Sequence, residues 1–198
     1  MDFTSALAMT ALPGAVVKLE ATPIDDLPTA RSMMQKVVDC INDGNIWISG
    51  VYGMGGVGKT TLLIESVHNR LRSNCCFDIV IWITVSRNPN MASIQRKIGD
   101  RLGIDLSGVE VETARDEPLT ILRNKRFLLI LDVVWERLEL KEIGIPRPTV
   151  KNNCKVILTT WNSDLCSEME ATISIEVKKL PEAEAWSLCK KKAGQHVE

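Results

Sequence analysis

Residues 53–60 read GMGGVGKT, and this glycine-rich stretch decides the fold prediction for the chain. It matches the pattern Gly, four residues, Gly, Lys, Ser or Thr, in which backbone N–H groups surround phosphate oxygens. The preceding residues, 46–52, are largely β-branched or aromatic, and Leu63, Val67 and Leu71 follow at helical spacing. A strand, a phosphate-binding loop and a helix are therefore predicted in that order, which is the context that the pattern requires.

Each position of the predicted loop has a physical role in holding phosphate groups. Glycine allows backbone angles that other residues avoid and leaves no Cβ between the N–H groups and the anion. Lys59 supplies a positive charge for the β- and γ-phosphates, the Thr60 hydroxyl is placed to ligate Mg²⁺, and Thr61 adds a donor to the α-phosphate. The predicted nucleotide-binding residues are Gly53, Met54, Gly55, Gly56, Val57, Gly58, Lys59, Thr60 and Thr61.

A second element of such a site is an acid at the end of a neighbouring buried strand. Asp132 ends the apolar run FLLILD at 127–132, and an acid placed there can hold Mg²⁺ directly or through water. Thr60 and Asp132 are therefore the predicted metal ligands, and Asp132 is also a candidate catalytic residue. Guanine specificity is not supported, because the Asn-Lys pair at 124–125 is followed by Arg and Phe rather than by a residue and an Asp.

Strand-like and helix-like segments alternate through the rest of the chain. Further strands are predicted at 77–85, 127–134, 155–160 and 173–177, with helical segments between them. Helices are predicted over 27–40, through Ile94, Ile98 and Leu102 with a stop at Gly103, from Pro118 after the charged stretch 110–117, and from Pro181 to Gly194. This order predicts an α/β fold: a P-loop NTPase-like parallel sheet of about five strands with helices on both faces.

Composition excludes several functional classes. The 198 residues include 24 basic and 25 acidic side chains, a balance that argues against a specific nucleic-acid partner or an anionic membrane surface. Six cysteines without a C-x-x-C pair and two distant histidines argue against a zinc site. The longest apolar runs have strand length, so no transmembrane segment is expected. Reduced thiols and a cytoplasmic location are predicted, because residues 1–20 contain no basic leader.

Five stretches of the chain are distinctive in sequence and order: GMGGVGKTTL from Gly53, FDIVIWITVS from Phe77, FLLILDVVW from Phe127, KVILTT from Lys155 and LPEAEAWSLCKKKAG from Leu180. Together they resemble consecutive blocks of the NB-ARC domain of plant disease-resistance proteins. The Trp at 135 that closes the third block resembles the coiled-coil subclass of these receptors. The resemblance covers roughly residues 27–194.

This resemblance implies a fold and a mode of action. It implies an ATPase-like sheet in which the strand ending at Thr160 lies between the loop strand and the Asp132 strand. Residues 27–178 would be the nucleotide-binding domain and 179–198 the first helix of a following helical subdomain, while residues 1–26 are expected to be a linker or a truncated upstream segment. The implied cofactors are ADP or ATP with Mg²⁺. The implied partners are adenine nucleotide, other domains of the same intracellular receptor and, on activation by nucleotide exchange in defence signalling, further copies of the receptor.

Two residues depart from the family's usual pattern. A second acid usually follows the magnesium acid, and here the residue is Val133; an arginine that senses the terminal phosphate usually follows the two threonines of the fourth block, and here it is Trp161. Both changes affect chemistry at the γ-phosphate and leave the loop intact. The sequence therefore predicts nucleotide binding, ADP retention and poor ATP hydrolysis. Glu136 could replace the missing base, although its place beyond the strand favours a solvated surface acid.

The tryptophans receive different interpretations. Trp47 and Trp82 lie in predicted strands and Trp186 lies in the last predicted helix, so all three are expected in the core. Trp161 stays open between a surface side chain and one that fills the γ-phosphate space.

Two other functions remain open at this stage. One is an active P-loop ATPase or small-molecule kinase, which would need a catalytic acid or an arginine-rich lid over the transferred phosphate. The other is a degenerate receptor fragment that acts only through protein contacts. Binding of ADP to the isolated chain separates the nucleotide switch from the second of these.

Overall fold

The structure is a computed structural model that describes residues 27–72, 77–149 and 152–193. The predicted linker at 1–26 and the predicted helix stop at Gly194 lie outside these residues. The elements within the described ranges are α1 Pro28–Asn42, β1 Ile48–Tyr52, α2 Lys59–Arg72, β2 Ile79–Thr84, α3 Met91–Leu102, α4 Val111–Ala114, α5 Asp116–Leu122, β3 Phe127–Val134, β4 Lys155–Thr160, α6 Ser163–Glu168, β5 Ile173–Glu176 and α7 Glu182–Ala193.

The five strands form one parallel sheet in the order β2-β3-β4-β1-β5. As the resemblance implies, β4 lies between β1 and β3. Tyr52 of β1 and Val134 of β3 both pair with Thr160 of β4, so three strands end at the same edge of the sheet. The phosphate-binding loop leaves β1 at this edge, where ligands of open parallel sheets usually bind.

The core consists of two apolar layers, one on each face of the sheet. Leu128 and Ile130 of β3 pack with α1 and α2, while Leu129 and Leu131 of the same strand pack with the layer of α3, α5 and α6. Successive side chains of a strand point to opposite faces, which explains why this central strand is a continuous apolar run. The predicted parallel sheet with helices on both faces is confirmed.

Several predicted boundaries differ from the structure. Gly103 ends α3 with a φ of 74°, as expected for a glycine in the left-handed conformation. Helix α5, however, begins at Asp116 rather than Pro118, and α4 forms within the stretch interpreted only as charged. Proline is tolerated anywhere in a first helical turn, because its missing N–H would have no partner there. Pro118 therefore lies in the first turn of α5, as predicted, but it is not the first residue of that helix.

The connection from β3 to β4 also differs from the prediction of a helix between these strands. Its described residues, 135–149 and 152–154, form turns and irregular backbone. Gly144 adopts a φ of 85°, and two prolines follow at 146 and 148, which disfavour a continuous helix here.

Trp186 is not in the core, contrary to the prediction, since 51% of it is exposed. Helix α7 instead packs through Leu188, and residues two apart on a helix point in different directions. Trp47 and Trp82 are half-buried against the two apolar layers, in partial agreement with the prediction.

Candidate functional site

The glycine-rich loop turns sharply out of β1 and into α2. Gly53 has a φ of 149°, and a Cβ at this residue would lie 2.4 Å from the carbonyl oxygen of Val177. The backbone of the loop thus lies directly against the chain that leaves β5, and only glycine fits. Gly56 and Gly58 also have positive φ angles, of 76° and 93°. The glycine spacing recognised in the sequence therefore corresponds to three backbone conformations that other residues rarely adopt.

Lys59, the first residue of α2, turns its ammonium group back into this loop. Its Nζ donates hydrogen bonds to the carbonyl oxygens of Gly53, at 2.7 Å, and Met54, at 2.8 Å. Burial lowers the pKa of Lys59 below its usual value, and the nearby Asp132 carboxylate opposes part of this shift. A phosphate group that binds in the loop must compete with two carbonyl oxygens for this ammonium group.

The two predicted metal ligands, Thr60 and Asp132, lie side by side. The Thr60 hydroxyl donates to the Asp132 carboxylate, with distances of 2.9 and 3.1 Å to its two oxygens. The Thr159 hydroxyl also donates to Asp132, at 2.7 Å, and accepts a hydrogen bond from the backbone N–H of Val133. Thr159 is a site residue that the sequence analysis missed. It could have been predicted, because it lies near the carboxyl end of the strand that was predicted beside β3.

This group of oxygen atoms fits a small hard cation. Mg²⁺ is usually bound by one or two carboxylates together with phosphate oxygens and water, so a single acid beside a hydroxyl is sufficient. Among the residues that the structure describes, no three His, Cys, Asp or Glu side chains cluster closely enough to form a metal site of their own. Thr60 and Asp132 are the residues that could hold Mg²⁺ here, with phosphate oxygens and water as its other ligands.

Val133 holds a backbone conformation that is unfavourable for its side chain. Its φ is 64°, and the pairing of β3 with β4 shifts register between Leu131 and Val134. A β-branched residue in the left-handed region is a marked outlier, and such strain costs on the order of 1–3 kcal/mol. Its alkyl side chain cannot accept a proton. Glu136 is exposed, which agrees with its interpretation as a surface acid.

An aromatic cluster borders the loop at the same edge of the sheet. The six-membered ring of Trp161 lies over Gly55, where a Cβ would come within 2.4 Å of the indole, and the ring centroid lies 5.5 Å from Lys59 Nζ. Trp161 packs against Trp135 with 5.2 Å between ring centroids, and the Arg87 guanidinium lies 5.3 Å from the Trp135 ring. These contacts between distant loops could not be read from the sequence, although all three side chains follow the carboxyl ends of strands.

A cavity of about 600 Å³ lies on the other side of the loop. Most of its lining is apolar, and its volume is within the range of small-molecule sites. Its lining residues are Leu27, Ala30, Met33, Gly55, Gly56, Val57, Gly58, Thr61, Leu62, Val177, Lys178, Lys179, Leu180, Ala185, Leu188 and Cys189. The loop thus lies between an apolar cavity and the polar pair Thr60 and Asp132, an arrangement suited to a nucleoside and its phosphates.

Helices α1 and α7, which provide two walls of the cavity, are joined by one carboxylate. Glu184 of α7 accepts hydrogen bonds from the Thr29 backbone N–H, at 3.2 Å, and from the Thr29 hydroxyl, at 2.6 Å. Thr29 is in the first turn of α1, where backbone N–H groups have no partner within the helix and a negative charge is favourable. The contact of Glu184 with Thr29 and the walls of this cavity were not predicted from the sequence.

Comparison with protein families gives the fold a name. The family model of the NB-ARC domain matches residues 30–198 of this chain. The chain belongs to the NB-ARC family. It is 39% identical over 185 residues to disease resistance protein RFL1 and 36% identical over 191 residues to disease resistance protein RPS5, both of Arabidopsis thaliana. The matches cover 91% and 89% of this chain but only 21% of each relative, so the chain spans about a fifth of their length.

Solved structures show that the fold of this chain is shared with proteins of distant sequence. Cdc6p of Pyrobaculum aerophilum matches with a TM-score of 0.62 at 14% identity, covering 93% of this chain and 52% of that one. The ORC1 protein of Aeropyrum pernix, solved in complex with DNA, matches with a TM-score of 0.60 at 12% identity, covering 84% and 50%. At such identities the likeness concerns the fold, and it confirms the predicted P-loop NTPase architecture. None of the described helices combines the length and apolar character needed to cross a membrane.

The strained backbone at Val133 gives a prediction about stability. Val133→Asn should raise the free energy of unfolding by about 1 kcal/mol, because asparagine tolerates the left-handed conformation far better than a β-branched residue. Val133→Ala, which keeps a Cβ but removes the β-branch, should raise the free energy of unfolding by less. Urea unfolding followed by circular dichroism measures the difference, and an unchanged or lowered stability of Val133→Asn would show that the strain is absent.

Proposed function

We propose that this chain is the adenine-nucleotide-binding part of a cytoplasmic plant immune receptor and that it retains ADP and hydrolyses ATP poorly. The observation that carries the proposal is the position of the glycine loop between the apolar cavity and the pair Thr60 and Asp132. A nucleoside in the cavity would direct its phosphates along residues 53–61 toward Lys59. Mg²⁺, held by Thr60 and Asp132, would then neutralise charge on the terminal phosphates.

Each part of the site has a task in this proposal. Positive φ angles let loop N–H groups turn toward an anion, and the start of α2 adds the positive end of its helix dipole. Lys59 would exchange the carbonyl oxygens of Gly53 and Met54 for phosphate oxygens. Thr159 orients the Asp132 carboxylate, which is already desolvated in the folded protein. The base that could activate water is absent at position 133.

The larger function that we propose is a switch. A receptor that binds ADP in one conformation and ATP in another changes state by nucleotide exchange, and hydrolysis need not be fast for that purpose. Residues 179–198 would begin a helical subdomain, and the Glu184 contact with Thr29 would link that subdomain to the nucleotide cavity. Other domains of the receptor, and further copies of it after activation, would be its partners.

Nucleotide binding is tested by thermal stability. ADP with Mg²⁺ should stabilise the wild-type chain by about 2.7 kcal/mol at a hundredfold excess over Kd, since ligand that binds only the folded state stabilises it. Lys59→Ala should lose most of this effect, because charge-assisted contacts to phosphate are worth about 1.5–3 kcal/mol each.

The control for this experiment is Lys125→Ala, since Lys125 is exposed and precedes β3, at the edge of the sheet opposite to the phosphate-binding loop. It should respond to ADP like the wild type. Equal shifts in melting temperature for Lys59→Ala and the wild type would show that the phosphates bind elsewhere. No shift for the folded wild type would favour the alternative of a module that acts only through protein contacts.

Weak hydrolysis is tested by restoring an acid next to Asp132. Val133→Asp should raise the rate of phosphate release from ATP, because a carboxylate there can position and deprotonate water, and acid–base catalysis typically contributes about 10²–10⁴-fold. Val133→Asn relieves the same backbone strain without a base and should stay at the wild-type rate. A wild-type rate as fast as the raised rate expected of Val133→Asp would favour the active ATPase instead, whereas equally slow rates would show that an acid at 133 does not supply the missing base.

A further inference from the structure

We infer that Trp161 determines the specificity of this site by occupying the space of a third phosphate, so that the site accepts a nucleoside diphosphate and resists a triphosphate. This inference rests on the proposed nucleotide site. It assigns the preference for ADP to one side chain of this chain.

The direction of a bound nucleotide follows from the two sides of the loop. The apolar cavity borders residues 55–58 on the side of α1 and α7, whereas Lys59, Thr60 and Asp132 lie on the side of β3 and β4. The nucleoside belongs in the cavity, and the phosphates belong beside the ammonium group and the metal ligands. The end of the phosphate chain therefore points toward the carboxyl ends of β3 and β4, where Trp161 follows β4.

Trp161 covers the phosphate-binding loop on the side of β3 and β4. Its ring lies against Gly55, and the absence of a Cβ there allows the close approach. The same ring lies 5.5 Å from Lys59 Nζ, so the indole covers one side of the cation that a γ-phosphate would use. A third phosphate must move the indole away before it can reach Lys59, whereas a diphosphate reaches the loop N–H groups from the cavity side.

The indole is held in place by neighbours that are themselves outside the core. Trp135 packs against the Trp161 indole, and the Arg87 guanidinium lies over the ring of Trp135. Trp161 is 53% exposed, so the fold gains little buried area from it. Its position is thus explained by the loop and the cation beneath it rather than by packing of the core, and its removal should leave the domain folded.

The test is the ratio of two affinities, measured by isothermal titration with Mg²⁺ present. The wild type should bind ADP at least about tenfold more tightly than the non-hydrolysable analogue β,γ-imido-ATP, a ratio that corresponds to about 1.4 kcal/mol. Trp161→Ala should bring the ratio close to one, chiefly by tighter binding of the triphosphate. Trp161→Phe, with a smaller ring, should give an intermediate ratio.

Trp186→Ala is the matched control. Trp186 is 51% exposed and has Lys190 Nζ 5.4 Å from its ring, but it is not one of the residues that line the cavity. This variant should keep the wild-type ratio. Equal affinities for the two nucleotides in the wild type, or an unchanged ratio in Trp161→Ala, would overturn the role of Trp161 while leaving nucleotide binding in place. Failure of the folded wild type to bind either nucleotide would overturn both proposals.

Discussion

The Asp132 carboxylate joins the parts of the molecule on which the site depends. It accepts hydrogen bonds from Thr60, at the start of α2, and from Thr159, near the end of β4, while its own backbone belongs to β3. Because the strands are parallel, the three segments reach one edge of the sheet, and the carboxylate fixes their relative positions. A buried carboxylate is costly without such donors, so these contacts stabilise the fold, and in the function we propose the same oxygen atoms would hold a cation.

Strain and specificity are concentrated beside this carboxylate. Val133 immediately follows it with a φ of 64°, and the pairing of β3 with β4 shifts register at the same place. Trp135 and Trp161, which continue from β3 and β4, meet over the loop. The two positions that depart from the pattern implied by the resemblance are therefore close to one another and to the end of the proposed phosphate path. We interpret both as changes in the response to a third phosphate, with the loop itself kept intact.

The sheet and the loop could be predicted from the sequence because their signals are local. The boundaries predicted for β3 and β4 were confirmed at 127–134 and 155–160, since long apolar runs leave few alternatives. The proximity of Thr60 and Asp132 followed from the rule that parallel strands end at one edge. Other features depend on distant contacts: the Glu184 bond to Thr29, the cavity walls and the packing of Trp161 on Gly55. Trp186 was wrongly expected in the core, because helical spacing alone does not show which face of α7 is covered.

The most direct test of the account is the identity of the nucleotide that copurifies with the chain. The protein is purified without added nucleotide and denatured, and the released nucleotide is identified by chromatography. The account predicts ADP in near-stoichiometric amount, because the loop and the cavity hold a nucleoside diphosphate while Trp161 covers the place of a third phosphate. Release of ATP or a guanine nucleotide, or a folded protein that carries no nucleotide, would contradict it.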